Sequence, residues 1–120
     1  MHTIDRRKKE KRAVNEVAIL RQELGLPRSR FARLVGRTER AVSDWESGKA
    51  RLQGLSQQRI RELHRLTTAL RELMDGGEIA GWFDTPNDAF EGLKPVEVIE
   101  RGESDRLWRM IFEMNSGVHG

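Results

Sequence analysis

Apolar residues recur at helical spacing along most of the chain, in runs separated by glycine or proline. Val17, Leu20 and Leu24 share one face, with Ala13 behind them, and predict a first helix from about Ala13 to Leu24. Gly25 stands one step past that helix end, and Leu26 is the apolar residue that often folds back after it. Pro27 suits the opening of a second helix, Arg28 to Val35, with Phe31, Ala32 and Val35 inward. Gly36-Arg37-Thr38 reads as a tight turn. Thr38 is a good N-cap for a third helix, Val42 and Trp45 lie three apart on its inner face, and Gly48 stops it. A helix this short is not stable alone, so its neighbours must hold it. Its other face is polar: Glu39, Arg40, Ser43, Asp44 and Ser47.

Residues 49–55 form a basic loop carrying Lys49 and Arg51. Ser56 then reads as the N-cap of a fourth helix, with Leu55 and Ile60 placed for a hydrophobic staple. Ile60, Leu63, Leu66, Leu70 and Leu73 extend one stripe to about Asp75. Gly76-Gly77 is the expected boundary. Beyond it, Ile79 to Phe83 reads as a short helix. Thr85-Pro86-Asn87-Asp88 resembles a capping box opening another, which Gly92 ends. Pro95 starts a helix over Val96 to Arg101 with Val96 and Ile99 inward, and Gly102 ends it. The last helix runs from about Ser104 to Asn115, with Leu107, Trp108, Ile111 and Phe112 on one side, followed by a small-residue tail, 116–120. No strand pattern and no repeat is present, so the chain reads as all-α.

Charge divides the chain in the same place. Residues 1–75 hold 18 Lys and Arg against 10 Asp and Glu, whereas residues 76–120 hold 4 against 9. A basic half suits polyanions, because each neutralised phosphate releases counterions. An acidic half suits a protein partner; solvated surfaces would also explain the asymmetry. Residues 5–12 form a basic arm that suits the DNA backbone or a frayed start of the first helix.

Chemistry is sparse. The sequence has no Cys, which excludes disulfides, thiolate metal sites and a cysteine nucleophile, and fits a reducing, cytoplasmic location. No apolar run reaches membrane-span length, and the basic N-terminus lacks a secretory apolar core. His2, His64 and His119 are dispersed, with no Ser-His-acid set, phosphate loop or metal spacing. The chain is therefore expected to be no enzyme and to take no cofactor.

Leu20-Arg21, Leu24-Gly25-Leu26, Phe31-Ala32, Val35-Gly36 and Val42-Ser43-Asp44-Trp45-Glu46-Ser47-Gly48-Lys49 resemble the Xre/Cro family of helix-turn-helix proteins over residues 14–75. The resemblance implies an internal pair between Arg21 and Glu46. It puts the base-reading positions at Glu39, Arg40, Ser43 and Asp44, with Arg28 and Thr38 at phosphate-contacting positions and Lys49 and Arg51 near the backbone. Arg40 can bind guanine O6 and N7 as a bidentate pair, while Glu39 and Asp44 can only accept, as from cytosine N4. These two acids depart from the common pattern, and one of them can orient Arg40 instead of touching DNA. Arg28 stands where the family often has Gln. Double-stranded operator DNA, bound by a homodimer, is the implied partner.

Gly81-Trp82-Phe83-Asp84-Thr85-Pro86-Asn87-Asp88-Ala89-Phe90-Glu91-Gly92-Leu93-Lys94-Pro95, followed by Val98-Ile99 and Gly102-Glu103, resembles the toxin-binding domain of the MbcA/ParS/Xre antitoxins. The family usually has a paired glycine where this chain has Glu91-Gly92, and Leu where it has Phe90. The resemblance implies an antitoxin whose partner is a RES-domain toxin that consumes NAD. The implied division is a basic arm (1–13), a DNA-binding domain (14–75) and a toxin-binding and dimerisation domain (76–120). It assigns toxin binding to Trp82 and to the last helix and tail, Asn115, Ser116, Gly117 and Gly120. The alternative is a stand-alone Xre-type regulator whose C-terminal half dimerises or senses a ligand.

Overall fold

The computed structural model describes residues 16–117. The basic arm, Ala13 and Gly120 lie outside the described residues. Within them the chain is helical throughout, without strands. The elements are α1 (16–23), α2 (Arg28–Leu34), α3 (Glu39–Ser47), α4 (Gly54–Arg71), α5 (Gly76–Phe83), a 3-10 turn (Asp88–Phe90), α6 (Pro95–Glu100) and α7 (Ser104–Ser116). Two compact units divide between His64 and Arg65, inside α4. No helix among the described residues is long and apolar enough to cross a membrane.

The core of the first unit is the predicted set of inward faces. Val17, Leu20 and Leu24 of α1, Phe31 and Ala32 of α2, Val35 after it, Val42 and Trp45 of α3, and Ile60 and Leu63 of α4 are all buried. Each large side chain removed from water in this way is worth about 1.5–3 kcal/mol. Three of these helices close with the same device: the amides of Leu26, Arg37 and Lys49 reach back to the carbonyls of Arg21, Ala32 and Asp44. Gly36 and Gly48 permit two of these closures, at φ +67 and +82, where an L side chain is strained.

The entry to α4 differs from expectation. The helix starts at Gly54, two residues ahead of Ser56, and Leu55 is exposed, so no staple forms. Ser56 is buried, and its hydroxyl accepts a hydrogen bond from Arg37 Nη1 at 2.9 Å. The serine serves a through-space partner on the turn between α2 and α3, which local spacing does not reveal.

In the second unit, Leu66, Thr67 and Leu70 of α4 are buried, as are Ile79 and Phe83 of α5, Phe90 of the 3-10 turn, Val96 and Val98 of α6, and Leu107 and Ile111 of α7. Helix α4 ends at Arg71 instead of reaching Asp75, because Asp75 takes the extended N-cap position of α5. Gly76 and Gly77 form the first turn of α5. Thr85 does not cap the next element: its hydroxyl donates back to the Gly81 carbonyl at 2.6 Å. Asn87 caps it instead, with its Oδ1 accepting from the Ala89 amide at 2.9 Å. Helix α6 opens with Pro95, as read from the sequence. The structure adds Glu97, whose side chain accepts from the Lys94 amide at 2.8 Å. Pro95, Val96 and Val98 are its buried residues, whereas Ile99, read as inward, is half-buried. In α7, Trp108 is half-buried and Phe112 is 72% exposed. Leu107 and Ile111 set the inward stripe, and Phe112 stands about 100° round the helix from Ile111.

Candidate functional site

Helix α3 is built to present one face. Thr38 is extended, and its Oγ1 accepts from the Ala41 amide at 3.1 Å, which satisfies one of the unpaired donors of the first turn. Val42 and Trp45 anchor the inner side. Glu39, Arg40 and Ser43 are exposed on the outer side, with Asp44 half-buried beside them. After Gly48 the chain turns sharply, the amides of Lys49 and Ala50 both donate to the Asp44 carbonyl, and Lys49 and Arg51 are exposed. The predicted reading residues on α3 and the basic residues after it are thus exposed, apart from half-buried Asp44, and give a polar surface.

Two arginines not singled out by the sequence hold that surface in place. Arg37 lies over the Trp45 ring at 5.4 Å from its centroid while its Nη1 bonds Ser56. Arg59 Nη1 donates to the Val35 carbonyl at 3.0 Å, directly over the turn between α2 and α3. A Cβ on Gly36 would run into that guanidinium. Both partners are distant in sequence, so no spacing rule points to them; Arg37 beside the Thr38 cap is the faint signal available.

Glu46 is the hub of a three-residue ion cluster. Arg21 grips it with the two N–H groups of one guanidinium edge, Nε to Oε2 at 2.7 Å and Nη2 to Oε1 at 3.1 Å. Arg21 Nη1 also donates to the Leu26 carbonyl. Arg28 adds a second guanidinium, with Nε at 3.1 Å and Nη2 at 3.0 Å from the same Oε1. The Glu46 side chain is 7% exposed, Arg21 14% and Arg28 47%. Burial disfavours the charged carboxylate, but hydrogen bonds from Arg21 and Arg28 outweigh it and hold the Glu46 carboxyl below its ordinary value. The hydrogen bond to Glu46 likewise raises the Arg21 guanidinium above its ordinary value. The Arg21–Glu46 pair is as the sequence implies; the engagement of Arg28, a predicted phosphate contact, is not legible there.

The second unit places its candidates differently. Trp82 is half-buried on α5, whereas Asn115, Ser116 and Gly117 are exposed at the end of α7. Ser116 Oγ donates to the Glu113 carbonyl at 3.0 Å, and Gly117 turns the chain out of the helix at φ +70. Arg106 of α7 bonds Glu103 at 2.9 Å and stacks over Phe90 at 5.8 Å, tying α7 to the 3-10 turn. Glu91, next to Phe90, sits at φ 58 in the left-handed region, where the resemblance leads one to expect glycine.

A small helical chain with an exposed polar face on α3 and an exposed end of α7 suits binding to other macromolecules. No family model matches the chain. It is 31% identical over 97 residues to the mycobacterial cidal antitoxin MbcA of Mycobacterium bovis, across 81% of this chain and 86% of the relative. MbcA of Mycobacterium tuberculosis matches with the same values. The fold superposes on a chain of the crystal structure of the M. tuberculosis MbcT–MbcA toxin–antitoxin complex with a TM-score of 0.68 and 30% identity. That superposition covers 88% of this chain and 95% of the other. The chain belongs to the MbcA antitoxin family.

Proposed function

We propose that this chain is the antitoxin of a toxin–antitoxin pair, that it neutralises a RES-domain, NAD-consuming toxin by direct binding, and that it represses its own operon by binding DNA. The observation that carries the antitoxin role is the similarity to MbcA along most of both chains, in sequence and in fold. The RES-domain assignment rests on the resemblance of residues 81–103 to the family's toxin-binding domain. Toxin contact falls on Trp82 and on the end of α7 with its tail, Asn115, Ser116, Gly117 and Gly120. A thin, small-residue tail suits a cleft that accepts an extended anionic dinucleotide.

DNA binding rests on α3 and its surroundings. Arg40 and Ser43, with Glu39 and Asp44, face the major groove; Thr38, Arg28, Lys49 and Arg51 lie along the phosphates. Two copies engage half-sites spaced about one helical turn, roughly 34–36 Å. Base contacts at α3 specify the site, while the flanking cations position it.

Co-expression tests the central claim. Cells producing the toxin encoded beside this gene should grow when the chain is present and arrest when it is absent. Arrest in both cases overturns the antitoxin reading. A RES-domain reading frame next to the gene is the genomic counterpart of that test.

A further inference from the structure

We propose that Glu46 is a positioning residue for phosphate binding: it holds the Arg28 guanidinium by one edge and presents its other edge to the DNA backbone. The inference rests on the DNA-binding reading above and deepens it.

The geometry is specific. A guanidinium is planar and carries five N–H groups. Arg28 commits its Nε–Nη2 edge to Glu46 Oε1. The edge formed by Nη1 and the second Nη2 proton then points away from the carboxylate. That edge matches a phosphate as well as the first matches a carboxylate. The charge also fits. One carboxylate faces two guanidiniums, so the cluster keeps one net positive charge. Arg21 neutralises Glu46 from the buried side, and the half-exposed member is Arg28. An anion approaching from solvent therefore meets the cation first.

Orientation is the gain. A solvated arginine must give up rotamer freedom to grip a phosphate. Arg28 has already done so against Glu46, which itself is fixed by the bidentate Arg21. The same carboxylate thus braces the α1–α3 contact and aims a cation on the first residue of α2.

The test uses the full chain and a random-sequence duplex of about 20 base pairs, long enough for two half-sites about one turn apart, titrated over a range of KCl concentrations. Melting curves confirm that each variant is folded. Arg28→Ala should weaken binding about fivefold near 0.15 M salt and flatten the slope of log K against log salt by about 0.9, the value of one phosphate. Arg28→Lys keeps the charge and the slope but should recover less than half of the lost affinity, because an ammonium cannot be held by one edge and bind by another. In a Glu46→Gln background, the effect of Arg28→Ala should shrink below about twofold, a coupling that a merely structural Glu46 would not produce. An unchanged slope in Arg28→Ala, full recovery by Arg28→Lys, or additive effects of the two substitutions overturns the proposal. If Glu46→Gln is unfolded, the comparison of Ala with Lys at position 28 decides alone, since both leave Arg21–Glu46 in place. Failure of the wild-type chain to bind the duplex would remove the DNA-binding reading itself.

Discussion

Glu46 stabilises the first unit because it is almost fully buried and accepts from two arginines. Replacing it with Ala strands Arg21, and unfolding in urea should show a loss of about 3 kcal/mol. The same residue sets an acid limit. Its carboxyl is held below the ordinary value of 4.5 in the folded chain. Its contribution is therefore complete above that value and is lost as pH falls through the lower, folded-state value. The stability gap between wild type and Glu46→Gln should stay constant down to about pH 5 and close in more acidic solution. A gap that persists unchanged to the acid end would show that the pair is not titrating. Glu91 is the opposite case. A non-glycine residue in the left-handed region costs about 1–2 kcal/mol, while glycine adds unfolded-state freedom worth about 0.4–1 kcal/mol. Glu91→Gly should raise stability by about 0.5 kcal/mol. A fall instead would mean that the pair with Arg106, at 3.8 Å, outweighs the strain.

At the scale of elements, α3 is too short to stand alone and depends on its cap, its two inward side chains and its glycine stop. The polar face inherits that rigidity, which the proposed base reading requires. Arg40 is exposed near the start of α3. On the operator, Arg40→Ala should cost about 1–3 kcal/mol and relax preference at one base pair, with little change in the salt slope. Equal loss on random DNA would make Arg40 a phosphate contact. Helix α7 follows a different logic. It buries only Leu107 and Ile111 fully and leaves Phe112, Met114 and everything from Asn115 to Gly117 exposed. The helix is held to the fold through Ile111, and its last turn, where the proposed toxin contact falls, is exposed among the described residues.

For the whole molecule, the division into two compact units predicts separable activities. Deleting residues 116–120 should leave operator affinity unchanged in a gel-shift assay and weaken rescue in co-expression. Full rescue by the truncated chain would take the tail out of neutralisation.

Most of the fold was open to reading from the residues in order. Inward stripes such as Val17–Leu20–Leu24 and Ile60–Leu63–Leu66–Leu70 repeat every three or four positions. The stops at Gly25, Gly36, Gly48 and Gly102 sit where the helices end. These signals are local: periodicity selects a helix face, and glycine supplies a backbone conformation other residues avoid. Two departures share one cause: Ser56, read as an N-cap, receives Arg37 from 19 residues away, and Arg28, read as a phosphate contact, meets Glu46 18 residues away. Thr85, read as a cap, instead turns back onto the Gly81 carbonyl four residues earlier. Phe112, read as inward, is 72% exposed among the described residues. The helices and their glycine stops were thus legible in the sequence, whereas both ends of α4 and the cap of the 3-10 turn were not. Which arginine meets Glu46, which serine receives Arg37, and how much of α7 stays open were decided by tertiary structure, because those choices depend on partners distant along the chain.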